Sequence, residues 1–127
     1  MPTPNMKVNG STREHIIHKL MEVGVPTNLK GYEYLKTGLA LVLENPDIVN
    51  YVTTELYPGI AKENGTTASR VERAIRHAIE VVFDRTTPDY IEKLFGTQYM
   101  LSKGKVTNSE FICRMAEVLR MEAGLYA

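Results

Sequence analysis

The chain carries a single cysteine, Cys113, among its 127 residues. One thiol cannot build an internal disulfide framework, which fits a reducing compartment. Neither sign of charge is in excess, since 15 basic side chains stand against 15 acidic ones. Bulk charge therefore argues for no class of partner, and a nucleic-acid role has to rest on local clustering. Long apolar runs are missing too. The longest, Leu39 to Leu43, is far too short to cross a bilayer. The opening MPTPNMKVNG has no apolar core and does not read as a secretory signal. Alternation of apolar and polar residues, the mark of a half-buried strand, hardly occurs. There is no phosphate-binding glycine loop, no HExxH and no nucleophile elbow, so neither a catalytic centre nor a cofactor is expected. His15 and His18 lie three apart beside Glu14. Helical surface histidines seldom bind a metal on their own, and none is expected here. The seven tyrosines are too scattered for a platform that stacks single-stranded bases. Cys113 lies among Phe111, Ile112, Met115, Ala116 and Leu119, where a packed thiol is the simpler reading than a nucleophile. With 43% hydrophobic residues the composition excludes a disordered chain. These absences leave a soluble, cytoplasmic, single domain as the expectation.

What is present is a succession of helix signals. Residues 1–10 hold two prolines, two asparagines and a glycine, and read as a flexible tail or an interdomain linker remnant. Residues 11–127 then read as one domain. Ser11 and Glu14 have capping-box spacing. Ile16, Ile17, Leu20 and Met21 follow at helical spacing until Gly24 and Pro26. A second helix is expected from Gly31 to Glu44, with Tyr34, Leu35, Leu39, Val42 and Leu43 facing inward. Asn45 and Pro46 suit the N-cap and first position of a third, over 46–55. Pro58 begins a short helix ending near Gly65. The longest runs from Thr67 to Asp84, and Thr86-Thr87-Pro88 opens another that ends at Gly96. Residues 97–106 read as irregular or extended. Thr107 and Glu110 have capping-box spacing at the head of a last helix reaching Glu122. Met100, Met115 and Met121 are core candidates. The fold class is all-α, six or seven helices around a helix-turn-helix.

The helix-turn-helix is expected within LYPGIAKENGTTASRVERAIRHAIEVVFDR, residues 56–85. Small Ala61 lets two helices cross closely, Gly65 supplies a left-handed turn, and Val71 packs the second helix on the first. Val71, Ala74, Ile75, Ala78, Ile79 and Val82 form one stripe at helical spacing. At about 100° per residue, Arg70, Arg73 and His77 share the opposite side, flanked by Ser69, Glu72 and Arg76. An arginine there can pair with guanine O6 and N7, and a glutamate can accept from cytosine N4 or orient an arginine. The plainer alternative is a solvated face held by weak Arg–Glu pairs, each worth about 0.2–0.5 kcal/mol. A helical protein-interaction module whose charged helix docks an acidic partner is the alternative function. Lys103 and Lys105, with Asn108 and Ser109 at a helix start, suit phosphate contacts, or equally a solvated loop and an ordinary cap.

The run TTASRVERAIRHAIE, Thr66 to Glu80, resembles the recognition helix of the stage-zero sporulation master regulator family, response-regulator transcription factors of spore-forming bacteria. GVP at 24–26, KGYEYL at 30–35, LYPGIAK at 56–62, LFG at 94–96 and TNSEFI at 107–112 agree with it. The resemblance covers residues 13–122 and implies an all-helical effector domain that activates and represses genes at the onset of sporulation. By that resemblance Arg70, Glu72 and Arg73 are base readers. By the same resemblance Ser69 and His77 are nearby contacts and Lys103 and Lys105 are backbone contacts; Arg76, from its place on the helix face, and Asn108 and Ser109, from theirs at a helix start, complete the expected set of additional or backbone contacts. The resemblance also implies a homodimer on tandem sites of a double-stranded DNA operator, an RNA polymerase sigma factor as partner, and an N-terminal receiver domain in the full-length protein. Nothing in this sequence resembles that receiver, with its phosphoacceptor aspartate. Val106 stands where the family commonly has proline and Phe83 where it has tryptophan, changes that bear on packing more than on base reading.

Overall fold

The helical periodicity becomes six α-helices in a computed structural model that describes residues 3–96 and 106–125. They are α1 (Gly10–Val23), α2 (Lys30–Glu44), α3 (Tyr57–Asn64), α4 (Ala68–Arg85), α5 (Pro88–Phe95) and α6 (Asn108–Glu122). Among the described residues there is no strand, so the all-α expectation holds. No helix among them is long and apolar enough to cross a membrane.

The most apolar helix becomes the hub. Tyr32, Tyr34, Leu35, Leu39, Val42 and Leu43 of α2 are all buried, and α1, α3, α4 and α6 all pack on it. Each such side chain taken from water stabilises the fold by about 1.5–3 kcal/mol. Two glycines let α2 serve so many neighbours. A Cβ on Gly31 would meet the Ala74 carbonyl oxygen and lie 2.6 Å from Ala78 Cβ, so α4 crosses α2 almost backbone to backbone. A Cβ on Gly38 would stand 3.0 Å from Ile60 Cδ1 of α3.

Local chemistry sets the ends. Asn9, in extended conformation, caps α1 by accepting the Thr12 N–H at 3.0 Å. The Ser11–Glu14 expectation is therefore corrected: Ser11 lies inside the helix and exposed. Gly24 ends α1 at φ +100°, and the following Val25 N–H returns to the Leu20 carbonyl at 2.9 Å while its side chain is buried. The single helix expected over 46–55 is also corrected. Residues 46–51 form a 3₁₀ turn and residues 52–56 a wider π turn. Asn45 makes no side-chain cap bond there, and the β-branched run Ile48, Val49, Val52, Thr53, Thr54 favours an α-helix weakly.

The stretch marked as a tail lies against the body. The Met6 N–H donates to the Leu43 carbonyl at 2.7 Å, and Met6 and Val8 pack on the core. Buried Arg120 of α6 donates from Nε to the Pro4 carbonyl at 3.1 Å and from Nη2 to the Val42 carbonyl at 3.0 Å. Met115 is fully buried as expected, whereas Met121 is exposed, because it lies on the outer side of the last turn of α6. Met100 lies outside the described residues.

Candidate nucleic-acid interface

Helices α3 and α4 form the expected helix-turn-helix. Ala61 is buried where they meet, Gly65 sits at φ +64°, and the Thr66 N–H closes back on the Ala61 carbonyl at 3.0 Å. Thr67 Oγ1 accepts the Arg70 N–H at 3.2 Å and so starts α4. Val71, Ile75, Ala78, Ile79 and Val82 are buried along one stripe, with Ala74 half-buried at the crossing with α2. Asn64 ties the end of α3 to α2 by donating to Thr37 Oγ1 at 3.1 Å. The outward side of α4 is thus fixed by three neighbours before any ligand arrives.

That outward side holds Ser69, Arg70, Arg73, Arg76 and His77, all exposed, with Glu72 half-buried. Two kinds of charge occur on it. Arg76 is ion-paired with Glu72 and has its Nε 4.0 Å from Glu80 Oε1, so this part fits the plain reading of a solvated, self-paired face. Arg70 and Arg73 differ: among the described residues neither joins an ion pair. They stand in the N-terminal half of α4, whose first turn carries no acid. The helix dipole places partial positive charge there. Among the described residues these two positive charges are left without an acidic partner, as an anionic ligand requires.

The head of α6 lies nearby through one side chain. Thr107 and Glu110 form the expected capping box, with N–H···O distances of 3.1 and 3.2 Å. Asn108, the first residue of the helix, is 9% exposed and turned inward. Its amide donates to Tyr57 Oη and to the Glu72 carbonyl, each at 3.1 Å. What Asn108 offers a ligand is therefore its backbone N–H, not its side chain. Burial pushes the Tyr57 phenol up, with the Asn108 bond acting against it, so it stays protonated at neutral pH. Ser109 is half-buried. Lys103 and Lys105 lie outside the described residues. Nothing in the sequence signalled that Asn108 faces inward, because a capping box looks the same whichever way its first helical residue points.

Elsewhere the chemistry is sparse. His15 and His18 are exposed on α1, and the described residues hold no group of three metal-ligating side chains. The Cys113 thiol is half-buried, and burial pushes it up, away from the reactive thiolate form.

Comparison with protein families returns a match over residues 16–119, most of the chain, to the family described as the sporulation initiation factor Spo0A C terminal.

Proposed function

The chain belongs to this family of Spo0A C-terminal domains, DNA-binding transcription-regulator domains of sporulation initiation, and from that premise we propose that α4 reads a double-stranded operator in the major groove. The family is one of transcription factors rather than enzymes. The observation that carries the finer reading is the exposed couple Arg70 and Arg73 in the N-terminal half of α4, neither of which joins an ion pair among the described residues. N-terminal residues of such a helix are the ones that reach base edges. Each guanidinium presents a fork matched to guanine O6 and N7. Glu72 accepts from cytosine N4 or holds Arg76 in place. Ser69, Arg76 and His77 make flanking contacts. Ser109, the Asn108 backbone N–H, Lys103 and Lys105 bind phosphate and set register. Affinity comes largely from counterion release and specificity from the base edges.

In the same reading the domain acts in the cytoplasm as activator and repressor. It pairs as a dimer on tandem sites and meets an RNA polymerase sigma factor. A receiver domain in a two-component system governs it through phosphorylation. The competing idea, an acidic protein docked on α4, uses the same cationic patch, and DNA discrimination separates them.

The test is the affinity for a guanine-containing box against a scrambled duplex at one salt concentration. The box should bind tighter. Arg73→Ala should cost about 1–3 kcal/mol on the box and much less on scrambled DNA. Equal losses on both would reduce Arg73 to a phosphate contact, and a native domain blind to the difference would end the reading. Lys103→Ala should instead weaken both duplexes alike and lower the salt slope by about one.

A further inference from the structure

The two amide hydrogens of Asn108 join three helices. The side chain belongs to α6, one acceptor is Tyr57 at the start of α3, and the other is the Glu72 carbonyl of α4. Glu72 lies between Arg70 and Arg73 in sequence and is held from two sides, its carbonyl by Asn108 within and its carboxylate by Arg76 outside. The capping box fixes the first turn of α6, so the amide has a rigid mount. The bond to Tyr57 is buried, where an unmade hydrogen bond costs most.

We propose that Asn108 is a positioning residue for base reading: its side chain sets the rotation of α4 about its own axis, and with it sequence selectivity, without itself touching DNA. This rests on α4 being the reading helix. A turn of about 10° moves a side-chain end at a radius of roughly 6 Å by about 1 Å. Hydrogen bonds to base edges weaken steeply when misaligned. Long basic side chains on phosphates follow such a shift. Loosening α4 therefore removes selectivity before it removes affinity.

The experiment measures the ratio of Kd on scrambled duplex to Kd on the box, with the salt slope on scrambled DNA, for the whole chain and three variants. Asn108→Leu keeps the approximate size and the neutral charge and removes both donors. Tyr57→Phe removes one acceptor only. Arg73→Ala is the reference for lost reading. Asn108→Leu should cut the ratio about tenfold, the worth of one well-aligned base contact. Tyr57→Phe should cut it less, and both should keep the wild-type salt slope, since neither changes the charge or removes a phosphate contact. Circular dichroism confirms that each variant is folded. If Asn108→Leu does not fold, Tyr57→Phe decides alone, and full selectivity in it overturns the proposal. A lowered salt slope in Asn108→Leu would show that the Asn108 side chain binds phosphate itself, which also overturns it. Selectivity lost in Arg73→Ala but kept in the other two variants refutes the positioning role and leaves α4 as the reader. Absence of selectivity in the wild type removes both.

Discussion

Arg70 stands in the first turn of α4, where a helix gains from an acid and loses from a base. Helices α2, α5 and α6 open with Glu33, Asp89 and Glu110 in their first turns, whereas α1, α3 and α4 open with no acid. Arg70 therefore costs α4 some stability of its own for what it presents. Arg70→Glu should then raise stability by about 0.3–1 kcal/mol in urea unfolding while abolishing preference for the box. A loss of stability instead would assign Arg70 a structural task. At this scale the sequence was readable where spacing decides: the Arg70–Arg73 cluster, the Glu72–Arg76 pair and the Thr107–Glu110 box all follow from it. It was not readable where two good residues compete. Asn9 and Ser11 are both strong caps, and Asn9 is the one used, with Thr12 Oγ1 further anchored to the Lys7 carbonyl at 3.2 Å.

Among elements, the crossings on α2 matter most. Gly31 faces the α4 backbone, which cannot yield, whereas Gly38 faces the far end of the Ile60 side chain, which can. Gly31→Ala should therefore cost more than Gly38→Ala, about 1–3 kcal/mol by overpacking, and should also weaken operator binding by displacing α4. Comparable denaturation midpoints for the two variants would contradict the crossing described. Helix number, order and most boundaries were legible because caps and apolar stripes are local signals. Gly31 and Gly38 were unreadable as contact points, since a glycine inside a helical run does not say which other helix approaches it. The π turn at 52–56 escaped for a related reason: Leu56 is fully buried, and tertiary packing rather than local preference sets the chain there.

For the whole molecule, the displaced titrations point one way. Burial pushes up the Cys113 thiol and the Tyr57 and Tyr90 phenols. Burial pulls the Lys19 ammonium down, but hydrogen bonds and charge from Glu122 and Glu22 outweigh it and hold it above its ordinary range. Each group binds its proton more tightly folded than unfolded. Their contribution is whole below the unfolded values and lost as pH climbs through the folded ones. The thermal midpoint should fall from about pH 8.5 upward and more steeply beyond about pH 10. Cys113→Ala should remove the earliest part of that decline, and a midpoint level to about pH 11 would contradict the assignment.

The clasp that Arg120 and Leu43 place on residues 4–6 has a practical side. It grips near the far end of α2, about 18 Å along that helix from the Gly31 crossing with α4. A dye, tether or affinity handle attached ahead of Thr3 would join the chain next to this clasp and away from the crossing with α4, so, if α4 is the reading helix proposed above, immobilised protein should keep its grip on duplexes.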